Sequence, residues 1–223
     1  MKGPIRLVVF DVDGTLVDSQ KDILDAMARA FEAEGYAVPD DAAVLASVGL
    51  SLPEAMAQLA PDLDAAARSG LVSAYRDGFL TSARHVEPPL YPGVRDTLAA
   101  LRARPELLLG VATGKSRRGL DHILVAHDLE GVFLSTQVAD DHPSKPNPSM
   151  LLAALRETGA EACNAAMVGD TEYDIAMGRA AGFATVGVSW GYQPVDRLQA
   201  AGADVVIDDF AALPAALDRI WES

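Results

Sequence analysis

An apolar run that passes straight into charge is the tightest constraint on this chain. Leu7-Val8-Val9-Phe10 leads directly into Asp11-Val12-Asp13-Gly14-Thr15. A strand over residues 5–10, made largely of Ile, Leu, Val and Phe, reads as covered on both faces, as in a parallel sheet flanked by helices. Carboxylates at its carboxyl end then lie where open α/β sheets gather their ligands. Gly14 lets the chain turn sharply straight after them. Two carboxylates one residue apart at a strand tip suit a divalent cation together with covalent or acid–base chemistry.

The bulk numbers bound the rest. The chain has 223 residues, half of them hydrophobic, enough for one large domain or a domain with a smaller insert. A formal charge of −14 and a pI near 4.5 argue against nucleic-acid or anionic-membrane partners. An anionic substrate therefore needs a locally positive site, made by a metal, a lysine or backbone amides. The single cysteine, Cys163, excludes an internal disulfide framework and suits a reducing compartment. The apolar run before Asp11 is too short for a secretory or membrane segment, so the expectation is cytoplasmic. Oligomeric state is not legible.

Along the chain, helical patterns cover residues 21–34, 41–47, 52–60 and 64–83, with Asp18-Ser19 expected to cap the first. No strand pattern interrupts them, so this block is an all-helical insert after the first strand. Glu87-Pro88-Pro89-Leu90-Tyr91-Pro92-Gly93 is the stiff connector that ends it. The expected division is residues 1–18 and 87–223 for the core and 19–86 for the insert. Beyond residue 93, helix and short apolar strand alternate. Strands are expected at 107–112, 132–134, 165–168, 184–188 and 204–207, with helices at 94–103, 117–127, 149–158, 173–181, 194–200 and from 211. Such alternation predicts an α/β fold with a Rossmann-like parallel sheet and helices on both faces.

Further strand tips carry more chemistry. Asp11 is the candidate nucleophile, since a carboxylate attacking phosphorus splits one hard displacement into two easier ones. Asp13 is the candidate general acid and base. Thr113 and Gly114 follow the second strand, where a hydroxyl and free amides can hold phosphoryl oxygens. The stretch Gly110-Val111-Ala112-Thr113-Gly114-Lys115-Ser116 resembles a P-loop, yet three residues separate the glycines where that motif needs four. Lys145, set among Pro143, Pro146 and Pro148, is a positioned ammonium able to neutralise the nucleophile and a transferring phosphoryl group. Met167-Val168-Gly169-Asp170 repeats the strand-into-carboxylate pattern, and Asp174 lies one helical turn on. Asp11, Asp170 and Asp174, with the Asp13 carbonyl, form a donor set suited to Mg²⁺.

These four elements, in this order, resemble the haloacid-dehalogenase-like hydrolase superfamily: Asp11/Asp13/Gly14/Thr15, then Thr113, then Lys145, then Gly169/Asp170/Asp174. The insert, Leu16-Val17-Asp18-Ser19, Tyr91-Pro92-Gly93 and Ser189-Trp190-Gly191-Tyr192 look like its phosphoglycolate-phosphatase-like branch. The resemblance implies a Rossmann-like core, a helical cap that closes over the site, and Mg²⁺-dependent hydrolysis of a small phosphate ester. It implies Asp11 as nucleophile, Asp13 as acid and base, Gly14, Thr113, Gly114 and Lys145 around the phosphate. An acid at position 13 favours phosphate esters over carbon–halogen bonds. A phosphomutase uses the same motifs and stays an alternative, as does a phosphorylatable regulatory module. Relatives often carry Gly-Lys-Pro where this chain has Ser144-Lys145-Pro146. Residues 47–53 are either a loop entering the site or a plain interhelical turn. Arg29, Arg68, Arg76 and Arg84 are the insert's candidate carboxylate binders.

Overall fold

The computed structural model describes residues 4–81 and 87–222. Strand β1 (Arg6–Phe10) is followed by helices α1 (Gln20–Ala33), α2 (Asp41–Ala46), α3 (Leu52–Leu59) and α4 (Ala65–Thr81). Helix α5 (Val94–Arg102), β2 (Leu107–Thr113), α6 (Arg117–Ala126), β3 (Ser135–Val138) and α7 (Ser149–Thr158) come next. The chain closes with β4 (Ala165–Gly169), α8 (Glu172–Ala180), β5 (Ala184–Val188), α9 (Val195–Ala200), β6 (Val205–Ile207) and α10 (Leu213–Glu222). The last two positions of the helix expected over 64–83, and Arg84, lie outside the described residues.

All six strands form one parallel sheet in the order β3-β2-β1-β4-β5-β6. Side chains of β1 alternate between the sheet's two faces, as a strand's period of two requires. Val8 and Phe10 join Leu98, Leu120 and Leu217 in one buried cluster; Leu7 and Val9 join Met150, Leu151 and Met177 in the other. Both faces are thus sealed by helices, which is why the strand could be apolar throughout. The chain lays β2 and β3 to one side of β1, then crosses to β4 on the other. The carboxyl ends of β1 and β4 therefore flank the point where strand order reverses, the place such sheets open a crevice.

Helices α1 to α4 pack around their own apolar cluster, which includes Ile23, Met27, Phe31, Val44, Met56 and Leu71. Two expectations need correction. The strand expected at 132–134 lies at Ser135–Val138, because Phe133 is an apolar anchor edge-on to Phe10 while the polar strand behind it pairs with β2 at the sheet's rim. Ser19 does stand at the N-cap of α1, yet its hydroxyl makes no capping bond there. It is engaged elsewhere.

Candidate active site

The tips of β1, β2 and β4 and the loop before α7 converge on one buried cluster. Lys145 Nζ lies 2.8 Å from Asp11 Oδ1 and 2.7 Å from Asp174 Oδ1, with no solvent exposure of the lysine side chain. Asp174 Oδ2 accepts from the Thr171 hydroxyl at 2.7 Å and from its amide at 3.1 Å, the reciprocal pattern that starts α8. Asp170 Oδ1 accepts from Thr15 Oγ1 at 2.9 Å, and Oδ2 from the Tyr192 amide at 2.9 Å. Asp11 differs from both: Oδ1 meets the Lys145 ammonium off hydrogen-bonding geometry, and Oδ2 is buried with no hydrogen-bond partner.

Asp13 stands apart from that trio. Its Oδ1 takes both the Lys115 ammonium, at 2.8 Å, and the Ser19 hydroxyl. Ser19 is held in turn by Tyr192, whose hydroxyl accepts from the Ser19 amide at 2.9 Å. Among the described residues, no hydrogen bond or ion pair to Asp13 Oδ2 accompanies those at Oδ1. The Lys115–Asp13 pairing leaves no mark in the sequence, where Lys115 stands only as part of a false P-loop, far from Asp13 along the chain.

The tight turn after Asp11 depends on glycine. Gly14 has φ +81°, and a Cβ there would fall 2.2 Å from Asp170 Oδ2. Thr113, the last residue of β2, accepts the Lys115 amide at 3.2 Å, so its own O–H is free to donate to an anion. The first helical cap downstream is Ser116, not Thr113. Gly110 lies inside β2, so the first four residues of the false P-loop, Gly110 to Thr113, are strand. A Cβ on Gly114 would sit 2.4 Å from Leu50 O, so the 47–51 loop of the helical insert rests on the β2 tip. Residues 47–51 join α2 to α3 and also touch the β2 tip and the Thr171 side chain, while Leu52 and Pro53 belong to α3. Arg29 and Arg76 are exposed and Arg68 half-buried.

Burial dominates the electrostatics. It raises the Asp11 carboxyl to about 7, against the opposing pull of Lys145 and with help from Asp174 and Asp13. Asp170 is raised well above the carboxylate range by burial, then by Asp11 and Asp174. Burial alone would lower the Lys145 ammonium, but Asp11 and Asp174 outweigh it and hold it above its ordinary value. Three clustered carboxylates against one ammonium leave excess negative charge in a dry site. Ligand oxygens of Asp11, Asp170 and Asp174 lie within 4.8 Å of one another. An all-oxygen, acidic donor set in which the buried Asp11 carboxylate has no hydrogen-bond partner fits a hard divalent cation. Asp13 Oδ1 is committed to Lys115 and Ser19, and the Asp13 carboxylate stands outside this donor set.

Known proteins resemble this chain over most of its length. A model of the family described as haloacid dehalogenase-like hydrolase matches residues 8–188. A Dickeya dadantii protein named "Probable phosphatase IndB" is 37% identical over 209 residues, covering 92% of this chain and 90% of that protein. A Rhodospirillum rubrum protein named phosphoglycolate phosphatase is 35% identical over 227 residues, covering 93% of this chain and 89% of that one. Among solved structures, a hydrolase from Pseudomonas syringae matches with a TM-score of 0.85 at 24% identity, over 96% of this chain and 99% of the other. At that identity the likeness speaks for the fold.

Proposed function

The chain belongs to the haloacid dehalogenase-like hydrolase family, and from that premise we propose an Mg²⁺-dependent phosphatase working through an aspartyl-phosphate at Asp11. Its activity class is phosphoric monoester hydrolysis. The observation that carries the mechanistic reading is Asp11 itself. A buried carboxylate oxygen without a partner needs a reason, and here it sits at a strand tip beside an ammonium and two more carboxylates.

The chemistry follows from these placements. Asp11 Oδ2 attacks phosphorus, the ester oxygen leaves as an alcohol, and Asp13 supplies its proton. Asp13 then takes a proton from water as that water attacks the Asp11-bound phosphorus; the Asp11–phosphorus bond breaks, phosphate leaves, the Asp11 carboxylate is restored and Asp13 is again protonated for the next cycle. The Thr113 hydroxyl and the Gly114 backbone hold phosphoryl oxygens, with Gly14 keeping the turn clear. Lys145 offsets the charge of Asp11 and Asp174 through both steps. Asp11, Asp170 and Asp174, with the Asp13 carbonyl, are the groups that would hold Mg²⁺, which when bound would supply charge neutralisation for the phosphoryl oxygens. The helices between residues 19 and 86 act as a cap over the site.

The substrate we favour is a small ester such as phosphoglycolate, supported by relatives named for that activity and by the tight seating of the 47–51 loop over Gly114. A panel of phosphorylated metabolites, compared by kcat/KM with released phosphate as the readout, tests it. Phosphoglycolate should rank above sugar phosphates. If a sugar phosphate ranks first and its phosphate is moved rather than released, the phosphomutase alternative takes its place.

A further inference from the structure

Nothing in the backbone of Ser144, the residue before Lys145, asks for a glycine. Among the described residues Asp128 is the non-glycine residue with positive φ. The Ser144 side chain is instead used: its hydroxyl accepts a hydrogen bond from the Ser51 amide at 2.8 Å. Ser51 is buried and immediately precedes α3, at the end of the loop that covers Gly114. Ser144 immediately precedes Lys145. One hydrogen bond thus ties the helical insert to the loop that carries the buried ammonium.

The neighbouring contacts of that loop are of a different kind. Leu50 O rests on Gly114, and the space beside Gly49 is filled by the Thr171 and Tyr173 side chains. Tyr173 reaches Ala46 O at 3.3 Å, a long and partly solvated bond. Outside the Ser144–Ser51 bond, a groove of about 640 Å³ runs along the seam between α3 and residues 143–147, lined by Leu50, Glu54, Gln58 and Asn147 among others. Because the Lys145 side chain has no solvent exposure, the groove does not open onto the carboxylates in this state.

We propose that the Ser144 hydroxyl is a latch holding the helical insert shut, and that its release joins the seam groove to Asp11 and admits the ester. Ser144 is a positioning residue in this account, acting through residues 47–51 and touching no reacting atom. A latched empty enzyme offers substrate only its open fraction, so apparent affinity is reduced by that fraction. Loss of one hydrogen bond shifts such an equilibrium by roughly 2- to 10-fold. That the entering molecule is a phosphate ester rests on the function proposed above; the latch itself does not.

Two measurements on the full chain test it, with Ser144→Ala and the hydroxyl-retaining Ser144→Thr. Amide hydrogen exchange at Ser51, in protein without substrate, should speed up by roughly 2- to 10-fold in Ser144→Ala and return to the wild-type rate in Ser144→Thr. With an aryl phosphate, kcat/KM should rise by a similar factor in Ser144→Ala, kcat being kept. Unchanged exchange at Ser51 overturns the latch. So does a fall in kcat/KM, which assigns Ser144 to the placement of Lys145, and so does failure of threonine to restore either reading. Lack of turnover in the wild-type protein bears on the phosphatase proposal alone, because the exchange measurement needs no substrate.

Discussion

Asp13 is the side chain whose surroundings divide its labour most clearly: Oδ1 is doubly held and Oδ2 is not. If Oδ2 protonates the leaving oxygen, the demand on it depends on the alcohol. Asp13→Asn should therefore cost roughly 10²- to 10⁴-fold in phosphorylation by an alkyl phosphate. A nitrophenyl ester, whose leaving group needs no proton, should lose far less in that first step. Single-turnover kinetics with both esters would show it; equal losses would remove the acid role. The positions of Asp11, Asp13, Thr113, Lys145 and Asp170 were legible in the sequence because each stands where an apolar run or a rigid loop is interrupted by chemistry, and that of Asp174 because it lies in the first turn of the helix after Asp170. Lys115, Tyr192 and Ser144 were not, since their partners are distant in sequence and hydrogen-bond pairing leaves no periodic trace.

The turn after β1 shows how an element fixes a site. Gly14 is held at positive φ with its missing side chain facing Asp170, so backbone conformation and the placement of the Asp170 carboxylate are one requirement. Gly14→Ala should cost about 2 kcal/mol or more of stability, from left-handed strain plus overpacking. Denaturant titration measures this cost, and divalent-cation affinity should weaken in the same variant. A variant with unchanged stability and metal affinity would mean the turn relaxes freely. Most elements could be placed from apolar periodicity, since buried strands and amphipathic helices must match the layers that cover them. The edge strand β3 could not, because its residues are Ser-Thr-Gln-Val and the apolar signal belongs to the anchor before it. The Ser19 cap failed for a related reason. Its hydroxyl has a better use on Asp13 than on the first turn of α1.

At the scale of the whole molecule, an acidic chain folds around further buried acid. Among the described residues, no helix is long and apolar enough to cross a membrane. The folded metal-free chain binds a proton at Asp11 more tightly than the unfolded chain does, with the carboxyl raised to about 7. The Asp11 contribution to metal-free stability is thus fully present below the ordinary carboxylate range, about pH 4, and is lost as pH rises through about 7. A divalent cation competes with that proton, so its affinity should increase from pH 5.5 to 7.5 and its binding should release protons. Calorimetry in buffers of different ionisation enthalpy would detect this. Affinity that is flat with pH would separate Asp11 from the metal. Saturation at 100 times the dissociation constant should stabilise the fold by about 2.7 kcal/mol.

Nucleophilic attack by Asp11 is the claim from which the rest of the chemistry follows. Acid quench of a single turnover with Mg²⁺ and a phosphate ester, followed by peptide mass spectrometry, addresses it directly. The account predicts one phosphoryl group on Asp11 in the wild-type protein. In Asp11→Asn it predicts none, with turnover lowered by roughly three orders of magnitude or more. Phosphate release that proceeds with Asp11 unmodified, and that survives Asp11→Asn, would contradict it.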